Sequence, residues 1–189
     1  CPATPTDQVF EVDMQRRTFI SLLAAGSAVS LGAAWWALPG APAPATLSLE
    51  AARELLQQLA ASPLRSVQGW SPAEVFNHCA QSVDYSMDGY PQLKPAWFRQ
   101  SVGPAVFDLF AARGGMRHPL DEAIPGAPPL DEPATQQLAL QRLQASMQRF
   151  AEYQGPLQPH FAYGALTHAE YAMAHVMHLY NHLGLIRPA

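Results

Sequence analysis

From residue 48 onward, apolar side chains return every three or four positions, and capping residues, prolines and glycines cut that rhythm into helices. Ser48 is placed to cap a first helix, LEAARELLQQLAAS, whose apolar side is Leu49, Leu55, Leu56 and Leu59 and which Pro63 stops. A second opens at Ser71-Pro72-Ala73-Glu74, where serine at the N-cap, proline at the first position and glutamate at the third make a capping box. It runs to about Met87, ahead of Gly89 and Pro91. Residues 95 to 113 predict a helical segment broken at Gly103-Pro104. Residues 114 to 133 hold five of the eighteen prolines, and so long a Pro-rich stretch inside a compact domain predicts a loop lying over one end of the helices. Leu140, Leu143, Met147 and Phe150 give a helix over about 134 to 153, and a second capping box at Thr167 and Glu170 starts a last helix that Gly184 ends. With no convincing strand and no internal repeat, the pattern predicts an all-α fold: a four-helix bundle with an additional broken helix and a long Pro-rich loop.

The first forty residues read differently. Arg16-Arg17 precedes an apolar stretch from Phe19 to Leu38, followed by PGAPAPAT, and that order is the pattern of a twin-arginine signal peptide over residues 14 to 43. Cleavage after Ala43 is the reading, with retention as an N-terminal membrane anchor the alternative. Met14 stands directly before the motif, so residues 1 to 13 read as an over-extended start, and residues 44 to 47 as a linker to the domain at 48 to 189. The expectation is an exported, periplasmic protein that meets the twin-arginine export machinery.

Charge and cysteine usage narrow the classes. From Ser48 onward nine Lys or Arg face twelve Asp or Glu with no basic run, which argues against nucleic acid as a partner. Cys1 and Cys79 are the two cysteines, and loss of Cys1 with the signal leaves Cys79 as an unpaired thiol, read as buried and inert. Stability then has to come from packing or from a metal.

The chemistry concentrates in HAEYAMAHVMHLYNHLGL. On a helix His175, His178 and His182 share one face, since separations of three, four and seven return nearly to the same angle. His175 and His182 are two turns apart, roughly 10 Å along the axis, so His178 is the middle of any shared site. His178 and His182 form an i, i+4 pair, which offers two nitrogens to one metal, and His78 on the second helix is the candidate third ligand. Val75, Ser82 and Tyr85 share the face of His78. Three neutral imidazoles leave coordination positions open to water, as catalytic sites do, and suit Zn, Ni, Cu or Fe.

The segments NHCAQSVDYSMDGYP, IPGAPPLD and PHFAYGALTHAEYAMAHVMHLYNHLGL resemble the DinB/YfiT-like superfamily of four-helix-bundle metalloenzymes. They are most similar to a branch described only as a domain of unknown function, whose members often carry twin-arginine signals. The resemblance covers about residues 48 to 187. It implies a DinB-like bundle in which a histidine of the second helix and an HxxxH pair of the last hold a divalent transition metal (Zn, Ni or Fe), at His78, His178 and His182 here. It implies hydrolase-type chemistry on water or a co-substrate, with metal-assisted thiol transfer or isomerisation as the alternative and a small-molecule substrate or ligand as partner. A homodimer is among its implications. A non-catalytic envelope protein that binds a metal or small ligand is the reading from another class.

Catalytic residues stay open, with four candidates. His175, three residues before His178, could be a further ligand or a proton carrier, and reads first as pocket wall or as support for the ligands. His160 and Tyr163, in the loop entering the last helix, could contact a substrate or be ordinary loop residues. Glu74 lies one turn before His78 and could be a base, although its capping role already accounts for it. His118 reads as a solvated loop histidine, Trp70 and Trp97 as core or rim aromatics, and Ser82 and Tyr85 as packing residues.

Overall fold

The computed structural model describes residues 47–130 and 135–189. The signal peptide over 14 to 43, the start before Met14, Cys1, most of the linker and the end of the Pro-rich stretch lie outside the described residues. The elements are α1 Leu49–Leu59, β1 Leu64–Ser66, α2 Pro72–Asp88, α3 Ala96–Gln100, α4 Val102–Arg113, α5 Gln136–Glu152, α6 His168–Leu183 and β2 Ile186–Pro188. The fold is all-α, with α1, α2, α5 and α6 as the four main helices and α3 and α4 as the broken one. Among the described residues no helix is long and apolar enough to cross a membrane.

Both capping boxes form. Ser71 Oγ accepts from the Glu74 amide at 3.3 Å while the Glu74 carboxylate accepts from the Ser71 amide at 2.7 Å. At α6 the matching distances through Thr167 and Glu170 are 3.2 and 2.7 Å. Each pair satisfies amides that a helix N-terminus leaves without partners, which fixes where the two histidine-bearing helices begin.

The helix faces read from the sequence meet in one core. α2 packs along α5 and against α6, and α1 lies against α5 and α6. Leu56, Phe76, Leu140, Leu143, Met147, Phe150, Tyr171, Val176 and Leu179 are fully or almost fully buried there. Each such side chain contributes about 1.5–3 kcal/mol on burial. This packing holds α2 and α6 in fixed register, and the site depends on it. Cys79 is buried and unpaired, as its sequence position suggested.

Two local features depart from the sequence reading. The helical break lies at Ser101, with φ −133° and ψ −75°, and not at Gly103-Pro104. Pro104 falls in the first turn of α4, where its missing N–H would have had no helical partner, so the helix accepts it. Gly103 serves close approach instead: a Cβ there would stand 2.0 Å from the carbonyl oxygen of Ala162. Gly164 plays the same part, with φ +80° and a virtual Cβ 2.4 Å from the Arg99 carbonyl oxygen. Together they let the 160–164 turn seat against α3 and α4.

The second departure is a small antiparallel pair, β1 with β2, in the register Leu64↔Pro188, Arg65↔Arg187 and Ser66↔Ile186. Three residues a side are too few to show an alternating pattern. The pair extends to Val67, whose amide donates to Leu185 O at 3.0 Å. It thereby ties the approach to α2 to the end of α6 and brings Trp70 beside the last histidine.

Candidate metal centre

His78 comes from α2, His178 and His182 from α6, and the structure brings the three together. The Nε2 atoms of His78 and His178 are 3.1 Å apart, as are those of His182 and His178. One donor nitrogen from each of the three lies within 4.8 Å of the other two, and the group contains no other described residue. Nitrogens held at ~2.0–2.1 Å from one ion at a tetrahedral angle are themselves ~3.4 Å apart, so the observed spacing is close to what a shared ion needs.

Hydrogen bonding alone serves this cluster poorly. A single imidazole nitrogen has one proton or one lone pair, so His178 Nε2 cannot be a well-aligned partner to both neighbours at once. An ion accepting all three lone pairs resolves that contact, and the donor set therefore fits a divalent transition metal. The Nδ1 atoms of His78 and His182 remain buried without a hydrogen-bond partner.

The electrostatics favour neutral ligands. Burial pulls the His78 pKa down to about 4, with a further lowering from His118. Burial, then His78 and His118, pull His182 to about 2. His178 is held well below the usual value, by burial first and then by the surrounding imidazoles. A metal needs the neutral form of each, and the site supplies it at neutral pH.

Two aromatic rings frame the cluster, Trp70 from the rim of the core and His118 from the Pro-rich segment. Trp70 lies 4.8 Å from His78 and stacks on His182 at 6.0 Å with a 7° interplanar angle, so it is a wall of the site. His118 is no solvated loop histidine: its ring centre is 5.0 Å from that of His178 and 5.1 Å from that of His182. Trp97, in contrast, is 64% exposed, and belongs to neither core nor site.

A cavity of about 200 Å³ opens against His78 and His178. Its walls include His118, Ile124 and Pro125 of the Pro-rich segment, so that segment covers the site. His160, Tyr163 and His175, three of the four catalytic candidates, line it as well. Ser82 lines it too, beyond the packing role read for it. Glu74 does not: its carboxylate is held by the Ser71 amide in the capping box.

His160 and His175 are set as neutral groups. The Nδ1 of His160 lies 3.1 Å from the amides of both Ala162 and Tyr163 and shares its one lone pair between them, a bifurcated contact that leaves the proton on Nε2, and the ring stacks on Tyr163 at 4.2 Å. Burial lowers its pKa to about 3. Ser86 Oγ gives its proton to Val83 O and lies 3.2 Å from His175 Nε2, so His175 donates through Nε2. Burial puts its pKa at about 3. Imidazoles so resistant to protonation position and donate but are weak bases at neutral pH. Burial likewise raises the Tyr163 phenol to about 12.

Glu122, which the sequence reading passed over, is the one carboxylate among the described residues lining the cavity. Its position in LDEAIPG carries no periodic signal, and only the course of the Pro-rich segment reveals it.

A family model described as "Protein of unknown function (DUF1569)" matches residues 45–189. No curated protein and no solved structure matches the chain.

Proposed function

Because the chain belongs to the DUF1569 family, whose description assigns no activity, we propose from its own side chains that it is an exported, DinB-like metal-dependent enzyme acting on a small molecule. The observation that carries this reading is the convergence of three neutral imidazoles from two rigid helices beside a cavity with room for a ligand. His78, His178 and His182 hold a divalent ion, Zn, Ni or Fe. When bound, such an ion supplies Lewis acidity toward a carbonyl or phosphoryl oxygen and toward water.

Around it the remaining residues divide the work of hydrolysis. Glu122, the one carboxylate among the described residues lining the cavity, takes the proton from the attacking water. The Nε2–H of His160 and the Tyr163 hydroxyl orient the substrate. Metal-assisted thiol transfer would use the same ion and cavity, with a thiol co-substrate in place of water. A non-catalytic envelope binder would need the protein to close the coordination permanently, with no position that water or a ligand can enter.

The decisive experiment is metal content by mass spectrometry on the full chain, purified without an affinity metal column. About one ion per chain in the wild type and none in His178→Ala is the expected outcome. Absence of bound metal in the wild type even after reconstitution would refute the reading. Export rests on the Arg16-Arg17 pattern. Replacing both arginines by lysine should keep the chain inside expressing cells, read by fractionation, and unchanged export would remove the twin-arginine route.

A further inference from the structure

His118 is held in a way that the three-histidine site does not use. Its Nδ1 lies 2.6 Å from the carbonyl oxygen of Pro119, an acceptor with no proton to give, so Nδ1 carries the hydrogen and donates it. The lone pair is therefore on Nε2, and that atom is buried with no hydrogen-bond partner. A ligating histidine typically donates its other nitrogen's proton to a carbonyl in this way, which fixes the tautomer and turns the free nitrogen to the metal. The ring already stands 5.0 Å from His178 and 5.1 Å from His182, centre to centre.

Resting on the three-histidine reading above, we propose that His118 is a fourth protein ligand of the same metal centre, delivered by the Pro-rich segment. His118 stands outside the group of donors that lie within 4.8 Å of one another, so binding draws the ring inward by a short displacement. The segment is built for a local movement of that kind. Met116 on one side and Ile124 on the other are buried, and beyond Ile124 the chain is fastened by Ala127 N to Ile124 O at 2.9 Å and Gln81 Nε2 to Pro128 O at 3.4 Å. Between these anchors residues 117–123 are exposed or half-buried. Pro119 biases the backbone of His118 toward extended conformations, which removes part of the backbone entropy that ordering the segment would cost.

A fourth imidazole closes the coordination that three leave open. The resting centre is then four-histidine, and a ligand in the adjoining cavity reaches the ion by displacing the loop-borne imidazole rather than a helix-borne one. Chemistry and closure are thereby carried by different parts of the chain.

The test uses the full chain in three forms, wild type, His118→Gln and His178→Ala, loaded with zinc for histidine-ring ¹⁵N spectra and chelator competition and with cobalt(II) for absorption. Expected are four metal-shifted imidazoles in the zinc-loaded wild type, one of them missing in His118→Gln. Zinc affinity should fall at least tenfold in that variant, and the cobalt bands should weaken as a nitrogen ligand is exchanged for solvent. Three shifted imidazoles in the wild type, with unchanged affinity and cobalt spectrum in His118→Gln and loss of metal in His178→Ala, would overturn the fourth ligand and leave the three-histidine site standing. A wild type that binds neither ion would overturn both. The ring spectra of the wild type answer the question even if a variant fails to fold.

Discussion

Helix α2 and the Pro-rich segment each bring one histidine to the same centre, by unlike means. His78 is held by a capping box at one end of its helix and by an α2 flank in which Phe76 and Ala80 are wholly buried. His118 is held by a proline beside it, one hydrogen bond to that proline's carbonyl, and anchors at Met116 and Ile124. The first arrangement cannot shift without disturbing the packing of α2 on α5, and the second can. A ligand set drawn from both would combine a rigid triad with a displaceable member, which is a sensible division for a site that must hold its ion and still admit a substrate.

The two arrangements differ most in what their loss costs the fold. Phe150 is wholly buried where α5 meets the α2 and α6 faces, in ring contact with His175 at 4.9 Å. Phe150→Ala should cost about 3–5 kcal/mol by denaturant titration and lower metal affinity with it, because the scaffold that registers α2 against α6 is loosened. His118→Gln, measured without metal, should cost clearly less, about 1 kcal/mol, because only ring contacts with His178 and His182 and one local hydrogen bond are lost. A His118 variant as damaging as Phe150→Ala in the metal-free protein would show the Pro-rich segment to be part of the scaffold, and the contrast would collapse.

Legibility in the sequence follows the same division. The 3–4 spacing of His175, His178 and His182, the facing position of His78 and both capping boxes are local signals, and the all-α fold and the triad were readable from them. Trp70, His118 and Glu122 carry no such signal, because each reaches the site through the path of a connecting segment. Trp70 is placed by the β1–β2 pair, whose three-residue strands are too short to announce themselves. The break falls at Ser101 although Gly103 and Pro104 look like breakers, because one admits the Ala162 carbonyl and the other sits in a first turn. His118, the one histidine of the Pro-rich segment, next to a proline, offered a clue that composition alone could not raise above a solvated loop residue.

Acid acts on buried imidazoles of helix and loop alike, with a smaller effect per group. His175 is on helix α6 and His160 in a loop, yet burial lowers both to about 3, so burial and not the type of element should govern their titration. The sign follows from the proton count. In the unfolded chain both return to about 6.5, so between about 6.5 and 3 the unfolded state binds more protons than the folded one. Their contribution to stability is thus fully present above about 6.5 and is lost as pH falls toward 3. Each lowers stability by about 1.4 kcal/mol per pH unit across that window. For the metal-free chain, denaturant titrations at pH 7 and pH 5.5 should therefore differ by roughly 2–3 kcal/mol from this pair alone, with His78, His178 and His182 adding in the same direction. His175→Gln and His160→Gln should each flatten the slope by a similar amount whatever they do to absolute stability. A flattening confined to the helix variant would mean that the 160–164 turn opens to water before the bundle does, and that the loop side of the cavity is held less firmly than its buried rings suggest.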